Sequence, residues 1–500
     1  MASLPTVQAA AVKKDADHVF YELTRSVCPE CRRVIDAQVL LRDRKVFMRK
    51  RCPQHGLFEA LVYGDADAYV RNARFNKPGT IPLAFHSEVR QGCPYDCGLC
   101  PEHQQHTCLG IIEVNSACNM DCPLCFAAAG PGFNLTVKEV EEILDELVLA
   151  EGRPEVVQFS GGEPSIHPQI TDMLRAARRR DIRHVMLNTN GKRIAADDRF
   201  LAELAEIRPS IYFQFDGFDE RTYEILRGEP DILSEKLLAL DRLAGIGCHV
   251  VLVPAVESGV NEHEVGPILR FALDHPAVRG INFQPAFHAG RHLDHDPLQR
   301  LTIPDILRLL EEQTEGLFRI SDFVPVPCCF PTCNSVTYAY VDGETVLPIT
   351  RMLEVDEYLD YITNRAVVDL DAEVRHALEG LWSSSAVPGS EKAAGDFALS
   401  CAACDLGSLD GAQIASRMFM VMLQDFMDPW TFNQKNLMKC CKEFLLPGGH
   451  QIPFCAYNTL GYREQAREQL VRRERERRRA RREGRQYESA PIRFEFGGER

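Results

Sequence analysis

Three cysteines, Cys118, Cys122 and Cys125, follow one another at spacings of four and three residues, directly after an apolar run that predicts a strand. Three thiolates on one loop suit a four-iron, four-sulfur cluster whose fourth iron has no protein ligand. An iron with an open position can chelate a small molecule, as an open zinc position holds water or substrate. A zinc knuckle closes on four ligands and a ferredoxin run supplies its fourth cysteine nearby, so neither alternative fits this spacing. The loop therefore predicts a cluster with one open iron.

A second segment offers groups that could hold a small molecule bound at such an iron. It reads Gly161-Gly162-Glu163-Pro164, at the end of the next predicted strand. Glycines allow a backbone to approach a ligand closely, and the Glu163 carboxylate could pair with an ammonium group. The cysteine loop, with Phe126 after its last cysteine, resembles the signature of the radical S-adenosylmethionine (SAM) superfamily, and Gly-Gly-Glu-Pro resembles its site for the SAM amino group. The resemblance implies that an electron from the cluster cleaves SAM to methionine and a 5′-deoxyadenosyl radical.

Alternating strand and helix patterns follow the cysteine loop and predict the scaffold that positions it. Thr136 and Glu139 form a capping-box pattern before a helix with apolar residues at helical spacing. Further strands are predicted near residues 156–160, 184–188, 211–215, 250–253 and 281–284. With the strand before Cys118 they make six strand–helix units, which predicts an α/β fold with a parallel sheet and right-handed crossovers. The pattern resembles the partial (β/α)6 TIM-like barrel of radical SAM enzymes, with active residues at the strand ends.

Polar residues are concentrated at the ends of the third and fourth of these strands. Asn188 ends the third strand, and Gln214 and Asp216 lie at the end of the fourth. By position they resemble the contacts that the family makes to the ribose and carboxylate of SAM. Capping of the loops is an equal alternative for each of them. These three residues join Phe126 and the Gly-Gly-Glu-Pro segment in the predicted cofactor site.

The first metal-ligand pattern in the chain is a pair of knuckle-like turns near its start. Cys28 and Cys31 form one turn, and Cys52 and His55 form the other, around a segment with strand character. Together they could hold one tetrahedral zinc or iron ion, with the identity of the fourth ligand, His55 or another residue, left open. We therefore expect a rubredoxin-like or zinc-ribbon-like module whose ion has a structural or electronic role.

A second cysteine triplet, Cys93, Cys97 and Cys100, repeats the spacing of the first one. It has Cys108 nearby as a fourth ligand, and proline and polar residues follow it instead of an aromatic residue. We therefore assign these four cysteines to a closed auxiliary 4Fe–4S cluster. The swapped assignment, with the SAM cluster on the earlier triplet, is the alternative.

Eight cysteines in the C-terminal part of the chain exceed the needs of one cluster. They are Cys328, Cys329, Cys333, Cys401, Cys404, Cys440, Cys441 and Cys455. A second auxiliary cluster is expected by resemblance to enzymes that carry such clusters behind the barrel. Its preferred ligands are Cys328, Cys333, Cys440 or Cys441, and Cys455. Cys248 stands alone in a predicted strand, where a buried small hydrophobe is the better interpretation.

Composition and charge narrow the class of protein and its partners. Nineteen cysteines in tight sets, without a signal-peptide pattern, favour metal ligation in a reducing cytoplasm over disulfides. The net charge of −15 argues against nucleic acid as a partner. A run of arginine and glutamate over 463–485 predicts a solvated helix, with peripheral contact at the inner membrane face as the alternative.

Five segments are predicted along the chain. They are a Cys-rich mononuclear-metal module (1–85), an auxiliary 4Fe–4S segment (86–110), the radical SAM barrel (111–320), a Cys-rich auxiliary-cluster domain (321–462) and a basic helical tail (463–500). Their order resembles one radical SAM subgroup, that of archaeal tetraether lipid synthase and its bacterial relatives.

This subgroup resemblance implies a function and leaves alternatives. It implies hydrogen abstraction from an unactivated C–H bond and coupling of two lipid chain ends through an sp3–sp3 carbon–carbon bond. A low-potential electron donor of the ferredoxin or flavodoxin type would supply the electrons. Radical C-methylation of a pterin-type small molecule is one alternative, and modification of a peptide is another. A non-catalytic iron–sulfur electron carrier is a third, which the intact Gly161–Pro164 segment disfavours because a carrier needs no SAM pocket.

Overall fold

A four-stranded antiparallel sheet forms the N-terminal part of the structure. The structure, a computed structural model, describes residues 16–326, 329–343, 345–351, 417–487 and 490–496. The strands are β1 (Val19–Val27), β2 (Val34–Arg42), β3 (Lys45–Cys52) and β4 (Gly56–Tyr63), and helix α1 (Ala66–Asn72) follows them. They pair in chain order. The turns after β1 and after β3 therefore lie at the same end of this small sheet.

Six parallel strands form the central barrel, and neighbours in the chain are neighbours in the sheet. They are β5 (Leu109–Asn115), β6 (Val156–Gly161), β7 (His184–Thr189), β8 (Ser210–Gln214), β9 (Val250–Val253) and, after the two-residue strand β10 (Ala255–Val256), β11 (Val278–Pro285). The helices among and after them are α2 (Val137–Glu151), α3 (Ile170–Arg178), α4 (Lys192–Ala196), α5 (Asp198–Ile207), α6 (Glu220–Arg227), α7 (Leu233–Gly245), α8 (Val265–Asp274) and α9 (Ile303–Gln313). The predicted α/β fold with a partial (β/α)6 barrel is confirmed.

Strand β6 shows how the barrel interior acquires polar groups. All six of its residues are buried, as expected for a parallel strand covered on both faces. Val157 and Phe159 pack in the main hydrophobic core, whereas Gln158 and Ser160 line an interior cavity. Because successive side chains of a strand point to opposite faces, one strand serves both the core and the site.

The C-terminal part of the chain extends the barrel sheet at both of its edges. Its strands are β12 (Asn334–Asp342), β13 (Thr345–Pro348), β14 (Met418–Gln424), β15 (Lys442–Leu445) and β16 (Gln451–Pro453). Strand β14 pairs in parallel with β11, and β15 pairs in parallel with β5. Residues from both new edge strands line one interior cavity, so the sheet curves round until its two ends face each other. The strands β14 and β15 of segment 321–462, which is predicted as a domain of its own, thus contribute to the barrel wall.

Three helices accompany these strands. They are α10 (Gln434–Met438), α11 (Phe454–Thr459) and α12 (Tyr462–Arg482). Helix α12 covers most of the arginine-rich run that predicts a solvated helix, but its first turns are buried, with Arg463 and Leu470 each only 3% exposed. No helix in the described part of the chain combines the length and apolarity needed to cross a bilayer.

Candidate functional site

The three cysteines after β5 line one cavity of about 200 Å³ at the carboxyl ends of the barrel strands. Phe126 and the Gly161–Glu163 segment line the same cavity. Burial raises the pKa of Cys118 to about 12 and also raises the pKa of the Cys122 thiol. A metal deprotonates a coordinating thiol outright, so burial does not oppose ligation. The three thiols on one loop suit a cluster with one open iron, beside groups that can hold its small-molecule ligand.

The two glycines of the Gly-Gly-Glu-Pro segment allow it to lie against the cysteine loop. Gly161 has φ +147°, and a Cβ there would meet the Asn115 carbonyl oxygen at 2.3 Å. A Cβ on Gly162 would meet the Ala117 carbonyl oxygen at 2.2 Å. In this arrangement the backbone N–H of Glu163 donates to the Ala117 carbonyl at 2.8 Å. The glycines therefore serve a close approach between two protein segments, in addition to any ligand.

The Glu163 carboxylate is held by the protein itself. It accepts hydrogen bonds from the Thr189 hydroxyl at 2.7 Å and from the backbone N–H groups of Asn190 and Ser165 at 2.8 and 3.0 Å. Burial raises the pKa of Glu163, and these hydrogen bonds oppose that effect. A carboxylate has about four lone-pair sites, so roughly one is left for an ammonium group. The predicted role in SAM binding thus fits a carboxylate that the ends of two strands hold in place.

Replacing Glu163 with glutamine is expected to weaken SAM binding about ten- to hundredfold. The loss of one hydrogen bond to a charged group costs about 1.5–3 kcal/mol, and about 1.4 kcal/mol is tenfold in Kd. Equilibrium dialysis with labelled SAM measures the effect. Glu264→Gln is a matched control, because Glu264 is buried, accepts from the Thr222 hydroxyl, and does not line the cavity. Equal losses in the two variants would contradict a specific role for Glu163.

The predicted contacts at the third and fourth strands differ in their positions. Asn188 and Gln214 line the cavity, as do Ser160 and Asn190. Asp216 is not among the residues that line it.

The Asp216 carboxylate is instead fully buried and forms a bidentate ion pair with Arg227, with both N···O distances 2.7 Å. Burial alone would lower the pKa of Arg227, but the charge of Asp216 raises it overall. Arg227 also donates to the Leu124 carbonyl at 3.1 Å and lines the cavity. Asp216 is therefore better explained as an anchor for Arg227 than as a direct SAM ligand, a pairing that residue spacing does not reveal.

Lys236 on α7 is a buried cation that the sequence pattern does not reveal. Its ammonium donates to the Asn190 and Gln214 carbonyl oxygens at 3.2 and 2.8 Å, and to the Gln214 side chain at 2.7 Å. Lys236 therefore links the carboxyl ends of β7 and β8. At the sequence level a lysine on an amphipathic helix looks solvent-exposed, so no signal marked it.

The free energy of unfolding is expected to rise with pH between about pH 8 and 10.5 through Lys236. Burial lowers the pKa of Lys236 to about 8 from an ordinary value of 10.5. Over that window the unfolded chain binds the proton and the folded chain does not, so raising the pH favours the folded state. The gain is at most about 1.4 kcal/mol per pH unit. Urea unfolding of the wild type and of Lys236→Met across this range measures it, and parallel pH profiles would contradict it.

An ion pair behind the cysteine loop joins helix α12 to the site. Arg463 pairs with Glu113 of β5, and both side chains are nearly fully buried. The Tyr457 hydroxyl donates to the same carboxylate at 2.8 Å. The Arg463 guanidinium lies 5.7 Å from the centre of the Phe126 ring, within cation–π distance. The start of the predicted solvated helix therefore supports the aromatic wall of the site.

The rest of the cavity has an aromatic wall and an amide-rich floor. The wall residues are Phe126, Phe287, Phe426, Phe444 and Phe454. The floor residues are Gln158, Tyr212, Gln284, Gln424 and Lys442. Apart from Phe126, which directly follows the cysteine motif, neither set follows from a local motif, since its members come from strands and loops far apart in the chain.

The N-terminal sheet brings its four predicted metal ligands together. The ligand atoms of Cys28, Cys31, Cys52 and His55 all lie within 4.8 Å of one another. His55 Nδ1 is 3.5 Å from the sulfur atoms of both Cys28 and Cys52. Three thiols and one imidazole in this cluster suit a closed tetrahedral zinc site.

The second cysteine triplet is brought together without its predicted fourth ligand. Cys93, Cys97 and Cys100 line one small cavity, and Cys108 is not among its lining residues. Cys108 lies instead in a buried cluster with Cys329 and Cys441, and its backbone N–H donates to the Cys441 carbonyl at 2.9 Å. The assignment of Cys108 to the triplet therefore needs correction. Cys108 directly precedes β5. Because the start of β5 pairs with the start of β15, Cys108 lies beside Cys441, which directly precedes β15.

The C-terminal cysteines also meet at one cavity. It is lined by Cys329, Cys333, Cys440, Cys441 and Cys455. The sulfur atoms of Cys329 and Cys441 are 2.9 Å apart. The structure thus adds Cys329 to the predicted set, while Cys328 lies outside the described residues. Five thiols around one cavity offer enough ligands for one auxiliary cluster.

Two histidines after β11 form a cluster with an aspartate. Ligand atoms of His288, His295 and Asp428 lie within 4.8 Å of one another. The two imidazole rings stack face to face, with centroids 3.7 Å apart and planes 5° from parallel. Imidazole lone pairs lie in the ring plane, so in this arrangement they do not converge on one metal position. Asp428 is in addition paired with Arg300 at 2.5 Å.

A barrel of parallel strands, with an open three-cysteine loop and a Gly-Gly-Glu-Pro turn around one cavity, defines the core of a radical SAM enzyme. The family model described as "Radical SAM superfamily" matches residues 112–272, and that described as "HMPTM N-terminal zinc ribbon domain" matches residues 20–64. The chain is 34% identical, over 480 residues, to 7,8-dihydro-6-hydroxymethylpterin dimethyltransferase of Methanocaldococcus jannaschii, covering 88% of this chain and 94% of the relative. The chain therefore belongs to the radical SAM superfamily and, within it, to the family of this relative.

More distant similarities are confined to part of the chain. GTP 3',8-cyclase of Chlorobaculum tepidum is 29% identical over 178 residues, which cover 35% of this chain and 53% of that protein. Among solved structures, Streptococcus suis SuiB bound to its precursor peptide SuiA is 16% identical with a TM-score of 0.37, over 43% of this chain and 47% of that one. The structure described as native anSMEcpe with bound AdoMet is 18% identical with a TM-score of 0.34, over 41% and 59%.

The superfamily, the fold and the cofactors predicted from the sequence are thereby confirmed. The protein is a radical SAM enzyme that uses a 4Fe–4S cluster and SAM. Its zinc ribbon and further cysteine groups fit zinc or auxiliary clusters.

Proposed function

We propose that this enzyme methylates carbon atoms of a reduced pterin-type substrate. The proposal departs from the lipid coupling that the sequence resemblance implied and takes up its alternative. It is supported by the relative with 34% identity, whose name gives a dihydropterin as the compound methylated. The observation that carries it for this chain is the pairing of an aromatic wall with an amide-rich floor in the cavity beside Cys118, Cys122 and Cys125.

The floor offers hydrogen-bonding groups suited to a heterocycle edge. The Tyr212 hydroxyl accepts from Gln284 Nε2 at 3.0 Å and from Asn282 Nδ2 at 2.5 Å. The side-chain oxygen Oδ1 of Asn282, a residue just outside the cavity lining, is buried without a hydrogen-bond partner in the described structure. Each glutamine amide offers donors and an acceptor, as a pyrimidinone edge does. A flat bicyclic pterin ring would therefore place its pyrimidinone edge against these floor residues.

The wall offers stacking surfaces for the same ring. Phe426 and Phe454 are stacked with centroids 4.2 Å apart, and Phe444 stacks on Phe454 at 5.4 Å. Aromatic faces bind flat rings through offset stacking and removal of apolar area from water. When bound at the three cysteines, the cluster and SAM would supply the reductive cleavage chemistry that activates an unreactive C–H bond. The residues of this chain orient the substrate and exclude water around that position.

Methyl transfer to a dihydropterin tests the proposal. The anaerobically reconstituted enzyme is incubated with dithionite, methyl-deuterated SAM and 6-hydroxymethyl-7,8-dihydropterin, and the pterin is analysed by mass spectrometry. Reductive cleavage leaves the methyl group of the cleaved SAM on methionine, so each transferred methyl group comes from a second SAM molecule, which leaves as S-adenosylhomocysteine. The expected product therefore carries one or two labelled methyl groups. Gln158→Leu with Gln284→Leu should abolish methylation but leave substrate-independent SAM cleavage within about threefold, since a lost polar contact affects mainly its own ligand. SAM cleavage without any pterin methylation would refute the proposal.

A second candidate is the coupling of lipid chain ends. It is favoured by the five phenylalanines that face the cavity, because such a wall would equally accept an alkyl chain. A lipid deuterated at its terminal methyl group, incubated with enzyme and SAM, should then pass deuterium into 5′-deoxyadenosine. The absence of deuterium transfer, with active enzyme, would eliminate this candidate.

A further inference from the structure

The loop after strand β11 lies directly against the cysteine loop. Arg291 and Cys125 exchange backbone hydrogen bonds, at 2.8 Å from the Cys125 N–H and 3.0 Å from the Arg291 N–H. Gly290, with φ +66°, allows this approach, because a Cβ there would meet the Phe126 carbonyl oxygen at 2.4 Å. The pairing therefore holds the backbone of Arg291 beside the last cysteine of the motif.

The guanidinium of Arg291 has one paired edge and one unpaired edge. Its Nη1 pairs with the carboxylate of Asp121, a residue within the cysteine motif. Its Nε and Nη2 are buried and have no hydrogen-bond partner in the described part of the chain. These two atoms form one edge of the planar group, with two parallel N–H donors. Buried donors are nearly always paired in folded proteins, so this edge indicates an acceptor that a bound group supplies.

The position of Arg291 indicates which bound group that is. Burial alone would lower the pKa of Arg291, but its interactions with the Cys125 sulfur and with the charge of Asp121 raise it overall. Cys125 lines the SAM cavity, whereas Arg291 is not among the residues that line it. An acceptor on the cysteine loop therefore explains the unpaired edge better than a carboxylate of SAM inside the cavity.

We propose that this edge of Arg291 donates hydrogen bonds to sulfur of the cluster on the cysteine loop and thereby raises the reduction potential of that cluster. Reduction adds one electron from a low-potential reductant, and no bond to the protein forms or breaks. A cation and two N–H donors at sulfur stabilise the added negative charge, since hydrogen bonds to the sulfur atoms help to set cluster potentials. The proposal rests on the radical SAM class of the enzyme and does not depend on the identity of the substrate.

The variant Arg291→Gln, which removes the charge and the guanidinium edge, tests the proposal. The anaerobically reconstituted enzyme is titrated with dithionite and followed by electron paramagnetic resonance. The cluster on the cysteine loop gives the part of the reduced spectrum that changes when SAM is added. We expect the equilibrium constant for its reduction to fall about tenfold, a shift of about 59 mV to lower potential. Iron content and Kd for SAM should match the wild type, because Arg291 is neither a predicted cluster ligand nor a residue of the cavity lining.

A second variant, Arg291→Lys, keeps the cation but has no guanidinium edge. Its reduction constant should fall in the same direction but by a smaller factor, since the charge contributes without the paired donors. This variant decides the question if Arg291→Gln does not retain its iron. A wild-type potential in whichever variant retains its iron would overturn the proposal.

The matched control is Arg467→Gln. Arg467 donates to the carbonyl oxygens of Ala127 and Ala128 at 2.7 and 2.9 Å, so it supports the end of the same loop through backbone atoms. Its loss should change the reduction constant by less than about threefold, because distance and screening weaken a charge that does not contact sulfur. The proposal is also overturned if Arg291→Gln and Arg467→Gln lower the potential equally, or if Arg291→Gln weakens SAM binding at an unchanged potential.

Discussion

Replacing Cys118, Cys122 and Cys125 together with alanine is expected to abolish SAM cleavage and to remove about four iron atoms per chain. The three thiols are the predicted cluster ligands and line the cavity together, so without them the cluster has no substitute attachment on this loop. The other cysteine groups are expected to keep their own iron, so the iron content should fall only in part. The loss is the difference in iron per chain between the wild type and the variant. Iron and sulfide analysis after anaerobic reconstitution, with chromatography of 5′-deoxyadenosine, measures both effects.

Cys248→Ala is the control for this triple substitution. Cys248 is buried at 2% exposure in the hydrophobic core, and no cavity described above includes it. We expect wild-type iron content and turnover from this variant, with a modest loss of packing. If the triple variant retained its iron and its SAM cleavage, the assignment of the cluster to this loop would be wrong, and the triplet at Cys93, Cys97 and Cys100 would become the candidate.

Replacing Arg463 with methionine should destabilise the folded protein by about 3–5 kcal/mol. The substitution leaves Glu113 charged and buried, with the Tyr457 hydroxyl as its remaining donor. Breaking a buried ion pair by removing one partner costs about that much. The guanidinium also lies against the rings of Tyr457 and Phe444, at 4.8 and 5.1 Å from their centres. Urea unfolding followed by circular dichroism measures the loss.

The double variant Glu113→Gln with Arg463→Met separates the buried charge from the packing. Neutral glutamine removes the unpaired charge, so we expect the double variant to regain much of the lost stability. A double variant as unstable as Arg463→Met alone would show that packing of the guanidinium, and not the charge of Glu113, dominates. The same pair of variants reports on the SAM site, because Arg463 supports the ring of Phe126.

The predictions that the structure and the comparisons confirm come from patterns of residues close together in the chain. The spacing of Cys118, Cys122 and Cys125 lies within eight residues, and the capping box of Thr136 and Glu139 lies within four. Both patterns describe interactions that residues close together in the chain can form without a distant segment. The alternation of strands and helices likewise follows from side-chain periodicity, and it was sufficient to predict the partial barrel.

Contacts between distant segments account for what the sequence could not show. Asp216 looked like a ligand because it ends a strand, but its carboxylate is held by Arg227, eleven residues later and on another element. Cys108 looked like the fourth member of a triplet, but the pairing of β5 with β15 places it beside Cys441, more than 300 residues away in the chain. Spacing along a chain does not encode such pairings. They depend on which edge of the sheet a later strand joins.

The two late strands of the barrel have a consequence for biosynthesis of the protein. Strand β14 covers the β11 edge and β15 covers the β5 edge, yet β5 leaves the ribosome more than 300 residues before β15 does. Until then, the nascent barrel presents two unpaired edges, each able to template pairing with another chain. Production at low temperature or with holdase chaperones should therefore raise the yield of intact enzyme, and shortening the chain before Lys442 should yield aggregates.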